Sequence, residues 1–212
     1  TTRQTDMWKN PKVWSLAIAE TISWAGIFYL FPAMLMRWEA HFGWSRVELT
    51  FGFTGGLIIS AGTSIFVGRL IDRGHGRTVL TLSAFMGGLL ISMLPLVQHL
   101  WQFYLIWLLI GFTMAGCLYE PCFAFLTRVY YPEAKRPIIM VTLVAGFAGT
   151  LCFPLSSVIA ENINWQASVW LFSLLICGLA VPLFWYGASS KPGQKDARPG
   201  RPCAEERLGH HR

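Results

Sequence analysis

Six apolar stretches, each long enough to cross a bilayer, occupy most of this chain of 212 residues. A hydrocarbon core of about 30 Å is spanned by a helix of about 20 apolar residues. Because backbone amides and carbonyls find no water in lipid, each stretch is expected to form an α-helix. The predicted spans are 13–36, 47–71, 78–98, 101–127, 137–160 and 165–186.

The positive charges lie almost entirely on one side of these spans. Of the 17 lysines and arginines, 15 fall in the N-terminus, the second and fourth loops and the C-terminal tail. The other side holds Arg37 and Arg46. Since positive residues mark the cytoplasmic side of a membrane protein, both termini are predicted to be cytoplasmic.

Composition narrows the classes of protein that this chain could represent. Charged residues make up 13% of it, against about 25% in ordinary soluble domains. A soluble helical core could explain one apolar run, but not six with a matching charge asymmetry. The net charge of +6 belongs to the cytoplasmic segments, so the expected partner is the lipid bilayer and not nucleic acid. The predicted organisation is a cytoplasmic N-terminus at 1–12, a helical bundle at 13–186 and a disordered cytoplasmic tail at 187–212.

Small residues indicate where the helices approach each other most closely. Gly52 and Gly56 have the G-x-x-x-G spacing in span 2, and Gly146 and Gly149 lie in span 5. The five cysteines show neither metal nor disulfide spacing, so no metal site and no cofactor are predicted.

Two carboxylates lie inside the spans, Glu20 in span 1 and Glu120 in span 4. Each is eight residues from a positive residue at the cytoplasmic end, Lys12 or Arg128. At about 1.5 Å per residue, both lie about 12 Å into the membrane. Ionisable groups at such depth commonly bind protons or substrate, although a structural role within the helix packing is the alternative.

Helical spacing places further polar residues beside the two glutamates. Ser23 and Trp24 follow Glu20 by one turn, and Thr113 precedes Glu120 by two turns. These residues are predicted to face the same cavity as the glutamates. Since no lysine or arginine lies in the middle of a span, an anionic substrate would need a positive partner from Arg37, Arg46 or another part of the protein.

The second cytoplasmic loop carries a dense motif, with Gly68, Asp72, Arg73 and Arg77 as its candidate functional residues. In full it reads Gly68-Arg69-Leu70-Ile71-Asp72-Arg73-Gly74-His75-Gly76-Arg77. This run closely resembles the G-x-L-x-D-R-x-G-R-R loop between helices 2 and 3 of the major facilitator superfamily, except that His75 occupies the position of the second glycine. The resemblance implies a gating role for the loop. Ordinary positive-inside charge is the alternative explanation.

Shorter matches extend the resemblance over nearly the whole chain. Those similar to bacterial members related to the monocarboxylate porter family are Phe42-Gly43-Trp44-Ser45-Arg46, Tyr119-Glu120-Pro121, Arg136-Pro137 and Ala145-Gly146. Val141 stands where that family usually has glycine. Drug/proton antiporters carry an arginine where this chain has Trp107, and their Gly-Pro motif is missing around Pro154, which makes drug efflux a weaker expectation.

The resemblance implies an all-α membrane protein whose six helices form the N-terminal half of the fold. The expected function is secondary transport of a small-molecule solute by alternating access, with an organic anion such as a monocarboxylate as candidate substrate and a proton as candidate coupling ion. The expected partner is a C-terminal six-helix half or another half-transporter, and the expected location is a bacterial inner membrane.

Two other classes of protein are alternatives to a transporter. A membrane enzyme would need a nucleophile with a nearby histidine or a metal site inside the spans, and the histidines lie in loops, at a span edge or in the tail. No enzymatic activity is therefore expected. A non-transporting six-helix scaffold remains the alternative, since no second set of six spans is present in the sequence.

Overall fold

A computed structural model describes residues 10–189, and this part of the chain is helical almost throughout, with no strand within it. It contains five apolar helical stretches long enough to cross a membrane. The second of them, Arg46–Leu96, has 51 residues, which at about 1.5 Å per residue is more than twice the thickness of a bilayer core. Gly74, with a φ of 98°, interrupts it and reverses the chain direction. The five stretches therefore supply six membrane-spanning helices.

We number the six helices α1 to α6 in chain order. Their bounds are α1 Pro11–Phe42, α2 Arg46–Leu70, α3 Gly76–Met93, α4 Leu100–Tyr130, α5 Lys135–Asn162 and α6 Trp165–Gly187. This architecture confirms the predicted class of an all-α membrane protein with six transmembrane helices. Most of the predicted N-terminal segment 1–12 and of the tail 187–212 lies outside the described residues.

Several of these helices begin with a side-chain cap, at a polar residue just outside the apolar run. Asn10 Oδ1 accepts the Lys12 N–H at 3.0 Å, with Pro11 at the first helical position of α1. Ser45 and Glu48 form a reciprocal capping box at the start of α2. Asn164 caps α6 by accepting the Ala167 N–H at 2.6 Å. These bonds satisfy amides that the first helical turn would otherwise leave without partners.

Helices α2 and α4 make a close backbone contact at two glycines. A Cβ on Gly56 would lie 2.6 Å from the Trp107 carbonyl oxygen, and a Cβ on Gly111 would collide with the Gly56 backbone. Gly52, one turn earlier in α2, packs against the Phe103 ring, so α2 and α4 run in the same direction. The predicted tight pairing through the G-x-x-x-G glycines is confirmed.

Helix α3 runs opposite to α4, which shows that the chain reverses at Gly74. Gly76 at its start faces Phe125, near the end of α4, whereas Gly87 faces Thr113, about three turns earlier in α4. Helix α6 packs against α3 and α1. Ser173 Oγ donates to the Gly88 carbonyl at 2.7 Å, and Gly187 at the end of α6 touches Lys12 at the start of α1. Both ends of the described chain therefore lie at one end of the bundle.

The contact between α2 and α4 predicts a sharp difference between two glycines of one helix. Gly56→Ala should lower the free energy of unfolding by more than about 1 kcal/mol, because its methyl group meets backbone that cannot move away. Gly62→Ala, with nothing within 4 Å, should be neutral or stabilising by up to about 1 kcal/mol through helix propensity. The measurement is thermal unfolding of the detergent-solubilised proteins, and equal midpoints for the two variants would contradict the contact.

Candidate functional site

A cavity of about 350 Å³ opens between α1, α2 and α4. We call it the α1–α2–α4 cavity. Its lining combines aromatic and aliphatic side chains with two serines and one carboxylate: Trp24, Phe28, Leu57, Ser60, Ala61, Ser64, Met114, Leu118 and Glu120. A concave, largely apolar site with a few polar groups is the usual form of a small-molecule binding site.

Glu120 reaches this cavity because α4 is broken just before it. Leu118 has an extended backbone, with φ −98° and ψ −159°, and the helix restarts at Tyr119. Pro121 has no N–H to give to the Cys117 carbonyl, so an unbroken helix would lose a bond at this point. The break places Glu120 in the first turn of a new helical segment, where its side chain is exposed.

Helix α1 is irregular at the same level. Residues Trp24–Tyr29 form a π-helical segment, and Trp24 and Phe28 within it line the cavity. The Trp24 ring lies 5.0 Å from Phe28 and 4.5 Å from Tyr119, measured between ring centroids. Insertions of this type are frequent at functional sites in helices. Sequence reasoning missed this segment, since no proline marks it.

Glu20 lies behind the cavity wall and is fully buried. Neither carboxyl oxygen has a hydrogen-bond partner among the described residues. Cys122 and Trp24 lie close enough to interact electrostatically with the carboxyl group, and the charge of Glu120 reaches it as well, although none of them bonds to it with good geometry. The two glutamates are thus brought into one region of the bundle in different environments, Glu20 enclosed and Glu120 open.

The predicted companions of the glutamates fall into two groups. Trp24 lines the cavity, whereas Ser23 is buried with no partner for its hydroxyl among the described residues. Thr113 lies at the contact with α3, where its hydroxyl donates to the Ile110 carbonyl at 2.7 Å and faces Gly87. It is not part of the cavity lining. The break at Leu118 explains this position, because residues before and after it no longer share the face that an unbroken helix would give them.

The loop between α2 and α3 is held from two sides. Arg128 of α4 donates to the Ile71 carbonyl at 3.1 Å, and Arg77 donates to the Trp185 carbonyl at 3.0 Å while stacking on the Trp185 ring. Asp72 and Arg73 are exposed between these anchors, and Gly68 is half-buried at the end of α2. The sequence predicts the positive charge of Arg128 at the end of α4, but not its hydrogen bond to the loop between α2 and α3.

The two arginines at the opposite end of the bundle are both engaged with glutamates. Arg37 forms an ion pair with Glu161 at 3.3 Å, which joins α1 to α5. Arg46 pairs with Glu39 across the turn between α1 and α2. Neither arginine lines the α1–α2–α4 cavity. No group of three or more histidines, cysteines or acidic residues that could hold a metal ion occurs in residues 10–189.

Six membrane-spanning helices, three of which border a partly polar cavity, define a polytopic membrane protein. The sequence profile of the Major Facilitator Superfamily matches residues 16–209, and the chain belongs to this family. It is also 28% identical over 176 residues to the voltage-gated purine nucleotide uniporter SLC17A9 of Mus musculus. The match covers 73% of this chain and 38% of that protein, so the chain spans less than half the length of its relative.

The positions of Ser60, in the cavity lining, and Thr113, at the contact with α3, predict that reagents in solution reach the two side chains at different rates. On a background with Cys177 and Cys203 replaced by serine, a thiol introduced as Ser60→Cys should react with N-ethylmaleimide at least about tenfold faster than Thr113→Cys. The reason is that reaching position 113 requires an opening of the contact between α3 and α4, and a cost of about 1.4 kcal/mol already gives this factor. Site-resolved mass spectrometry measures both rates, and equal rates would contradict the described cavity.

Proposed function

We propose that the chain is the N-terminal half of a secondary transporter that moves a small solute by alternating access. The observation that supports this most strongly is Glu20, a carboxyl group enclosed in the bundle with no bonding partner among the described residues, beside a cavity that carries a second carboxylate. Ionisable groups at such depth are costly and are retained mainly for function. In this family the substrate passes between two six-helix bodies, and the second body is part of the proposal.

The enclosure of Glu20 supports a role in proton coupling. An ionised carboxylate with no partner in an apolar interior is strongly disfavoured, and we assign a proton to Glu20 in this conformation. Opening of the cavity would let water reach the carboxyl group and the proton leave. The proposed division of roles is a buried proton carrier, Glu20, and an accessible cavity residue, Glu120.

The proposed topology follows from charge. The end that holds Lys12, the loop with Asp72 and the loop with Lys135 is assigned to the cytoplasm, because positive residues concentrate there. The bacterial inner membrane stays a prediction from the sequence motifs. The organic anion suggested by those motifs stays a prediction too, and its positive partner would have to come from beyond the described lining of the cavity.

Glu20→Gln tests the proton-coupling proposal. In the transporter assembled with its second half, this variant should lose uphill accumulation of substrate while keeping counterflow exchange, because glutamine is close in shape but cannot carry the proton. Accumulation and exchange are measured in proteoliposomes, with Glu133→Gln in an exposed loop as the matched control. Accumulation at the level of the unmodified protein would show that Glu20 is structural.

Asp72→Asn tests the proposed gating loop. If Asp72 stabilises one state of the transport cycle, its loss should slow turnover by about 5- to 150-fold while changing substrate affinity much less. Initial rates at saturating and limiting substrate separate the two effects. Normal turnover at normal expression would reduce the loop motif to a signal for topology.

A further inference from the structure

We infer that the α1–α2–α4 cavity binds the positively charged group of an organic amine, with Glu120 as its counter-ion and the rings of Trp24 and Phe28 packed against its apolar part. The inference rests on the proposed function in taking this cavity as the substrate site. The proposed cation differs from the organic anion that the sequence motifs suggest. The inference is drawn from the chemistry of the cavity lining alone.

The charge of the lining supports a cationic solute. Among the described residues that line the cavity, Glu120 is the one charged side chain, and it forms no ion pair within residues 10–189. Its side chain is exposed in the first turn of the helical segment that starts at Tyr119. The cavity therefore offers an exposed negative charge that a cation can neutralise.

The aromatic side chains point to the same chemistry. Trp24 and Phe28 line the cavity with ring centroids 5.0 Å apart, and Tyr119 lies 4.5 Å from Trp24. Tyr119 is itself stacked on Phe123 at 5.1 Å and 13°, which holds it in place. The faces of aromatic rings attract cations, most strongly in the case of tryptophan. A carboxylate beside two such rings is a recurring arrangement for ammonium groups.

Ser64 of α2 adds a hydrogen-bond acceptor to the cavity lining. Ser64 Oγ donates its proton to the Ala61 carbonyl at 2.8 Å, so the lone pairs of the hydroxyl remain available as acceptors on the cavity side. An ammonium group has donors and no acceptor, and it can use such an oxygen together with the carboxylate. The volume of about 350 Å³ suits a small solute.

The same lining disfavours an anion, because its described residues offer one negative charge and no positive one. The arginines nearest to the outer end, Arg37 and Arg46, are paired with Glu161 and Glu39, and neither lines the cavity. Bringing a carboxylate against Glu120 would place two like charges together in a partly apolar site. The lining thus discriminates by charge, through repulsion of anions as well as attraction of cations.

The test uses three probes that share a phenyl ring and a three-carbon chain: 3-phenylpropylamine, 3-phenylpropanol and 3-phenylpropionate. The readout is the rate at which N-ethylmaleimide labels a thiol introduced as Ser60→Cys in the purified protein, with Cys177 and Cys203 replaced by serine. The amine should protect this thiol at concentrations at least about tenfold lower than the alcohol, and the propionate should give no protection. The reagent is uncharged, so its entry is not biased by the charge of the cavity. Because the thiolate is the reacting form, each rate is compared with that of the same variant without probe.

Variants of Glu120 separate a charge effect from one of shape. Glu120→Gln should raise the concentration of amine needed for protection to that of the alcohol. Glu120→Asp, which keeps the charge, should retain part of the difference between these two concentrations. Glu133→Gln, an exposed loop carboxylate at the cytoplasmic end, is the matched control and should leave protection unchanged. Equal protection by amine and alcohol in the unmodified cavity, protection by the propionate, or no protection by any probe would overturn the inference.

This experiment can fail independently of the proposed function. Probe binding does not require proton coupling, so protection by the amine and proton-driven accumulation are measured separately. Protection by the propionate together with normal proton-driven accumulation would keep the transporter and reject the cationic substrate. Protection by the amine in a protein that never transports would keep the binding site and reject the transport proposal.

Discussion

The requirement that every backbone polar group be satisfied within the membrane governs this structure. Lipid offers no hydrogen-bond partner, so the chain crosses it as helices, and irregular backbone is tolerated where it faces protein or a cavity. Two such interruptions, the π-helical segment Trp24–Tyr29 in α1 and the extended Leu118 in α4, border the same cavity. A further π-helical segment, Ile176–Ala180 in α6, does not line it. Irregular backbone therefore contributes to the candidate site but does not by itself identify it.

Close packing between α2 and α4 gives the cavity its shape. The backbones meet at Gly56 and Gly111. Past this contact α2 contributes Leu57, Ser60, Ala61 and Ser64 to the cavity lining as it runs on toward Leu70. The glycines thus fix where the two helices touch, and the cavity begins where they no longer do. A bulkier residue at the contact would move one wall of the cavity.

The two membrane carboxylates differ in what surrounds them, and this difference supports separate roles. Glu20 is enclosed among Trp24, Cys122 and neighbouring apolar side chains, whereas Glu120 is exposed in the cavity at the start of a helical segment. A proton on one and a cation on the other would use the same pair of residues without requiring two adjacent negative charges.

Much of this arrangement is encoded locally and could be predicted. Apolar run lengths predict the six helices, because bilayer thickness leaves few other solutions, and the distances of Glu20 and Glu120 from Lys12 and Arg128 predict their common depth. Which way each side chain points depended on tertiary structure. The position of Thr113 against α3 could not be predicted from spacing, because a seven-residue interval places two residues on one face only in an unbroken helix, and Leu118 breaks α4 between Thr113 and Glu120. The burial of Glu20 likewise depends on contacts between α1 and α4, which lie about one hundred residues apart in the chain and meet only when the bundle forms.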